Sequence, residues 1–136
     1  MSEPTIIHFR PLPETRAAEG RCGSHFVIAD RAEGRAGGQG LGFNGGEFLA
    51  FAVGGCLAND LQFAAEDMGV SILDFDIAVR IEFASGPMRA KSVEVAVRCE
   101  LAGNGDSRAL VQSAYERGTI ANSLREGIVS LAMNDD

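Results

Sequence analysis

The sequence has no cluster of basic residues. Its 12 Lys and Arg are outnumbered by 19 Asp and Glu, which leaves a net charge of -7. Proteins that bind nucleic acid draw much of their affinity from cations set against phosphates, so that class is excluded as an expectation. An acidic chain also gains nothing from an anionic membrane surface. No secretory signal is recognisable, because Met1 to Thr5 are polar and acidic and lead into no apolar stretch. The apolar run from Phe48 to Ala58 is ended by Asn59, Asp60 and Gln62 before it reaches the length of a membrane span. A cytoplasmic protein with no nucleic-acid or membrane partner is therefore expected.

Residues that carry chemistry are also few. The two histidines, His8 and His25, lie far apart, and the three cysteines, Cys22, Cys56 and Cys99, form no Cys-x-x-Cys pair. A zinc site would lack ligands, and no metal or cofactor is expected. An odd cysteine count fits a reducing compartment better than a secreted disulfide framework. The glycine-rich stretch 30–46 is followed by no Gly-Lys-Ser/Thr and shows no strand–Gly-x-Gly-x-x-Gly–helix order, so it is not a phosphate cradle. It reads as a loop, either a functional one or a plain surface connection.

What is present is enough for one core. The 136 residues are 46% apolar and 23% charged, without internal repeat or linker, which suits a single domain over 1–136. Ile6, Ile7 and Phe9 predict one extended piece. A turn-rich stretch follows from Pro11 to Gly20, and Ser24 to Ala29 give a second extended piece. Residues 46–69 are too long for a buried strand and read as a helix stopped by Gly69. Its first half is apolar almost all round, which predicts burial on most sides and leaves room for a partner subunit to cover it.

Two alternating segments come next. Phe75, Ile77, Val79, Ile81 and Phe83 alternate with Asp74, Asp76, Ala78, Arg80 and Glu82, and Val93, Val95, Val97, Cys99 and Leu101 with Glu94, Ala96, Arg98 and Glu100; Ser85, Gly86 and Pro87 supply a turn. Period-two alternation puts one face of such a hairpin on a core and the other in water. Asp106 or Ser107 can cap a helix running to about Arg117, a short helix spans about Ala121 to Glu126, and Ile128 to Ala132 form a final strand. The predicted order is β-β-α-β-β-α-α-β, an α+β layout.

Cys56 sits in Gly54-Gly55-Cys56-Leu57-Ala58-Asn59-Asp60. Two glycines inside a helix cost roughly 1 kcal/mol each relative to alanine, which points to something packed closely against the backbone. Cys56 is read either as a nucleophile or as a small buried hydrophobe. Asp60 lies one turn beyond it on roughly the same face, where a carboxylate opposes a thiolate, so a nucleophilic Cys56 calls for a nearby cation. Cys99, among valines on a strand, reads as a core residue, and Cys22 reads as mostly structural despite its neighbour Arg21. Glu47 opens the long helix, where an acid suits the helix dipole.

The stretch Asn44-Gly45-Gly46-Glu47 through Gly54-Gly55-Cys56 resembles the central-helix motif of OsmC/Ohr proteins, and the Glu47-to-Cys56 spacing resembles that of the OsmC branch. The hairpin, the helix after it and the terminal strand follow in family order. The resemblance implies antiparallel sheets around a long central buried helix and an intertwined homodimer with active sites at the subunit interface. It implies peroxidase activity on organic hydroperoxides in a setting of oxidative stress: a cysteine thiolate, here Cys56, becomes a sulfenic acid and a second cysteine resolves it. A supporting glutamate is implied at Glu47, and a supporting arginine at Arg21, in Arg21-Cys22-Gly23-Ser24, with Arg16 in reserve. Nine residues along one helix turn through about 900°, so Glu47 and Cys56 face opposite ways. Their cooperation needs a frayed helix entry or the partner subunit.

One position departs from the family pattern. Where Cys-Pro-x-Ser-Asn/Gln-x-Leu is implied, this chain has Gly118-Thr119-Ile120-Ala121-Asn122-Ser123-Leu124, so Gly118 replaces the resolving cysteine. Two functions are therefore carried forward. One is a thiol-dependent hydroperoxide reductase that uses an external thiol reductant. The other is a non-catalytic protein that binds an apolar small ligand on the same scaffold.

Overall fold

The computed structural model describes residues 3–127 and 130–133. The chain divides into two compact units, residues 1–48 and 49–136. The architecture is α+β, with two antiparallel sheets and, among the described residues, three α-helices.

The first unit carries a meander of β1 (His8–Pro11), β2 (Ala18–Cys22) and β3 (His25–Ala29), in that spatial order. Sequence reasoning expected two extended pieces and a turn-rich stretch from Pro11 to Gly20; the structure puts the last three residues of that stretch, with Arg21 and Cys22, into the central strand. The sequence of β2, Ala-Glu-Gly-Arg-Cys, has no β-branched residue. It is a strand because it is paired on both sides, a case of tertiary context overriding propensity. Gly20 is opposite Phe9. A Cβ at Gly20 would lie 2.6 Å from the Phe9 ring, so the ring covers the bare backbone of the glycine. The tight β1–β2 turn is closed by Leu12 N donating to Ala17 O at 2.9 Å and by the Thr15 hydroxyl donating to Leu12 O at 2.9 Å.

The glycine-rich loop is built around Asp30, whose side chain is 1% exposed. The Arg31 amide donates to its Oδ1 at 2.8 Å, and the amides of Gln39 and Leu41 donate to Oδ2 at 3.1 and 3.0 Å. Phe43 then bridges back to β3 through its amide, which donates to Ile28 O at 2.9 Å. A Cβ at Gly42 would lie 1.9 Å from that same carbonyl oxygen, so only glycine fits. The Leu41 amide, then the Gln39 and Arg31 amides and the Arg31 guanidinium, hold the Asp30 carboxyl below its ordinary value, against desolvation that pushes it up.

A carboxyl lowered in the folded state contributes stability that is present above its ordinary value of 3.8 and is lost as pH falls through the lower folded value. Melting temperature followed against pH should show wild type losing stability below that point more steeply than Asp30→Asn. Parallel curves would show that Asp30 does not organise this loop.

The second unit holds the core. Helix α1 (Gly45–Met68) begins in the first unit and runs into the second, where it buries the stripe Val53, Leu57, Leu61, Ala64 and Ala65. The expected long central helix is present with nearly the expected bounds. Within the single chain it buries that one stripe; Phe51 and Phe63, on other faces, are 58% and 61% exposed. By length and composition α1 could cross a bilayer, although it carries Glu47, Asp60, Glu66 and Asp67 and its buried stripe faces protein.

The predicted hairpin is β4 (Ile72–Ala84) and β5 (Arg89–Leu101), with Ile77 opposite Val97, Val79 opposite Val95 and Ile81 opposite Val93. These residues are half-buried, while Asp74, Asp76, Arg80, Glu94 and Arg98 between them stay in water. Gly54 is where α1 comes close to this sheet: a Cβ there would be 3.2 Å from a Val79 methyl. Gly55 has no such neighbour within the chain.

A short 3-10 turn, Ala102–Asn104, leads to α2 (Arg108–Arg117) and then α3 (Thr119–Glu126). Ser107 is the N-cap residue of α2 without a side-chain cap bond, and Asp106 instead accepts from the Arg108 amide at 3.0 Å. The Arg108 guanidinium, followed by that amide, pulls the Asp106 carboxyl down to about 2. Leu110 and Ala114 of α2 pack on Leu57, Leu61, Ala64 and Ala65 of α1 and on Leu101. The strand expected over Ile128–Ala132 lies partly outside the described residues, and Ser130, Leu131 and Ala132 are in neither helix nor strand.

Candidate functional site

Cys56 is half-buried on α1, one position before the buried Leu57, so its thiol borders the α1 stripe that packs on α2. One helical turn on, Asp60 accepts a hydrogen bond from it, with Cys56 Sγ 3.4 Å from Asp60 Oδ2. The spacing of four residues on α1 produces this pair directly. Among the described residues no Arg or Lys forms an ion pair with Asp60.

The other wall of the site comes from the α2–α3 junction. Gly118 ends α2 and is the N-cap residue of α3. A Cβ at Gly118 would lie 3.4 Å from Asp60 Oδ2, so the position that departs from the family pattern touches the residue bonded to Cys56. A niche of about 20 Å³ is lined by Val53, Cys56, Leu57, Val95, Ala114, Tyr115, Gly118 and Ala121. That is room for about one water molecule or a group of that size. Next to it a larger cleft of about 480 Å³ shares Val53, Val95, Tyr115 and Ala121 and adds Val93, Val97, Val111 and Leu124. Arg125 stands at this cleft with its guanidinium 4.8 Å from the Tyr115 ring centre and pairs with Asn122.

The other sequence-derived site residues have local partners. Glu47 and Asn44 form a capping box: the Asn44 amide donates to Glu47 Oε1 at 2.9 Å, and the Glu47 amide donates to Asn44 Oδ1 at 2.8 Å. Arg21 lies in β2, pairs with Glu19 and stacks 5.0 Å from the Phe26 ring centre. The main chain of Arg16, the reserve candidate, accepts from the Arg31 guanidinium, and its side chain lies against Gly37. Within one chain, then, Cys56, Glu47 and Arg21 each engage a different neighbour. Cys22 is exposed. Cys99 packs on the core, and desolvation pushes its thiol up against a smaller opposing effect of Arg98.

Tyr115 and the contact between Gly118 and Asp60 were not identified from sequence. Helical spacing puts Val111, Ala114, Tyr115 and Gly118 on one face of α2, which is the signal that could have grouped them, but it does not say that this face meets Asp60.

The family model described as OsmC-like protein matches residues 37–131. None of the curated proteins matches the chain. Among solved structures, an OsmC-like protein from Mycoplasma pneumoniae superposes with a TM-score of 0.75 at 13% identity, over 92% of this chain and 89% of that one. An organic hydroperoxide resistance protein OsmC from Legionella pneumophila gives 0.63 at 19% identity, over 90% of each chain. An organic hydroperoxide resistance protein from Elizabethkingia anophelis gives 0.62 at 14% identity, over 92% and 91%. These likenesses establish a shared fold, and the residues matched by the family model span the later part of the glycine-rich loop, α1, the hairpin and the α2–α3 junction. The chain belongs to the OsmC-like family.

Proposed function

We propose that the protein is a thiol-dependent redox enzyme that reduces organic hydroperoxides through Cys56. The supporting observation is that the Cys56 thiol borders a niche of about 20 Å³ next to an apolar cleft of about 480 Å³. A peroxide group suits the niche and an organic tail suits the cleft. The first step converts the Cys56 thiol and ROOH into a sulfenic acid and ROH. With Gly118 in place of a resolving cysteine, an external thiol R′SH then attacks the sulfenic sulfur, giving a mixed disulfide and water. A second R′SH restores Cys56 and releases R′SSR′.

The enzyme works in the cytoplasm, in defence against oxidative stress, as a homodimer. Exposed apolar side chains on α1, Phe51 at 58% and Phe63 at 61%, support a partner surface. In the dimer Arg21 and Glu47 leave their local partners and support the Cys56 thiolate of the other protomer. Sedimentation at micromolar concentration should give about twice the chain mass of 14.3 kDa, and a monomer would refute the dimer.

The enzymatic reading is tested by following cumene hydroperoxide. It should be consumed stoichiometrically without added thiol and catalytically with a small dithiol. The second reading, a non-catalytic binder of apolar ligands, is favoured by the valine-lined cleft together with Gly118. It predicts ligand binding with no hydroperoxide consumption above that of free cysteine.

A further inference from the structure

We propose that Asp60 is the proton carrier of the Cys56 site and a catalytic residue for hydroperoxide reduction, an inference that rests on Cys56 being the reacting thiol. Two observations meet at one oxygen, and a third joins its two neighbours. Oδ2 of Asp60 is the acceptor for the Cys56 thiol at 3.4 Å. The same Oδ2 is 3.4 Å from where a Gly118 side chain would begin, so on that side it faces space left open by a missing side chain. Cys56 and Gly118 both line the niche that borders the thiol. An acid bonded to the reacting sulfur and set beside Gly118, which lines the niche, can take a proton from one reactant and return it to the other. Apart from Cys56, Tyr115 is the one titratable side chain lining that niche among the described residues.

The Cys56 S–H proton passes to Asp60 Oδ2. The sulfur lone pair attacks the hydroxyl-bearing oxygen of ROOH, the S–O bond forms and the O–O bond breaks. That oxygen keeps its hydrogen, so Cys56 becomes S–OH. The departing RO⁻ takes the proton from Asp60, which yields ROH and regenerates the carboxylate. Sulfur loses two electrons and the peroxide gains them. A positioned acid that protonates a poor leaving group contributes typically about 10²–10⁴ in rate.

The role has a signature that a structural one lacks. Asp60→Asn should slow reduction of cumene hydroperoxide about 100-fold. Alkylation of Cys56 by iodoacetamide should slow much less, because iodide leaves without a proton and only the proton-accepting half of the role is lost. Peracetic acid, whose leaving carboxylate is a weak base, should show a much smaller deficit than cumene hydroperoxide. Asp60→Glu, which keeps a carboxyl, should retain most of the hydroperoxide rate and guards against a folding defect in the asparagine variant. An equal loss with all three reagents, or an unchanged cumene hydroperoxide rate in Asp60→Asn, overturns the proposal. A wild-type protein no faster than free cysteine overturns the enzymatic reading itself, and with it this role; an active wild type with an indifferent Asp60→Asn overturns only the role of Asp60.

Discussion

Replacing Cys56 by serine removes hydroperoxide reduction completely, while replacing Cys22 or Cys99 by serine leaves most of it. The expectation follows from where each thiol lies. Cys56 is half-buried, lines the niche and is hydrogen-bonded to Asp60. Cys99 packs on the core, and desolvation disfavours its thiolate, the form that attacks peroxides. Cys22 is exposed at the end of β2, and the neighbouring Arg21 is engaged by Glu19 and Phe26. A serine hydroxyl is isosteric with the thiol but cannot form a sulfenic acid, so the fold should survive while the chemistry stops. The measurement is the rate of cumene hydroperoxide consumption with a dithiol present, for each of the three variants. Residual activity in Cys56→Ser together with loss in Cys22→Ser would move the reaction to the other unit.

Leu61→Ala should be the most destabilising single truncation in the core, at about 3 kcal/mol, within the roughly 2–5 kcal/mol seen for buried leucines. Leu61 is 0% exposed and packs in the cluster with Leu110 at 1% and Ala114 at 0%. The small Ala64, Ala65 and Ala114 around it cannot extend to fill the void, so both the lost burial and the cavity count against the variant. A total stability of about 5–15 kcal/mol makes that a large fraction. Urea unfolding at fixed protein concentration measures it. Phe63→Ala is the informative contrast. Phe63 is 61% exposed in the single chain, so its loss should have little effect on an isolated protomer but should weaken a dimer that uses this surface of α1. A cost below about 1 kcal/mol for Leu61→Ala would mean that the α1–α2 contact is not the centre of the core.

The parts of the fold that were legible in the sequence are those whose local pattern and tertiary environment agree. Alternation along 75–83 and 93–101 gave the hairpin because one of its faces is half-buried against α1 and the other carries Asp74, Arg80, Glu94 and Arg98. The apolar run ended by Gly69 gave α1 to within a residue at each end. Strand β2 was hidden because Ala-Glu-Gly-Arg-Cys has weak strand propensity; its two partner strands and the Phe9 ring over Gly20 make it extended. The site was half legible. The Cys56–Asp60 pair follows from helical spacing alone. The placement of Gly118 against Asp60 needed the packing of α2 on α1, which no local pattern states. The roles of Glu47 and Arg21 came from family resemblance, and each is bound to a close sequence neighbour: Asn44 is three residues from Glu47, and Glu19 is two residues from Arg21. Such contacts form between close neighbours within one chain, so a shared role with Cys56 requires Glu47 and Arg21 to give them up.

The most direct test of the central claim is to mix the reduced protein with one equivalent of cumene hydroperoxide, trap sulfenic acid with a 1,3-diketone and locate the adduct by mass spectrometry. The account predicts an adduct on Cys56 and none on Cys99, formed far faster than with free cysteine. Absence of an adduct on Cys56, with the hydroperoxide left unreacted, would contradict it.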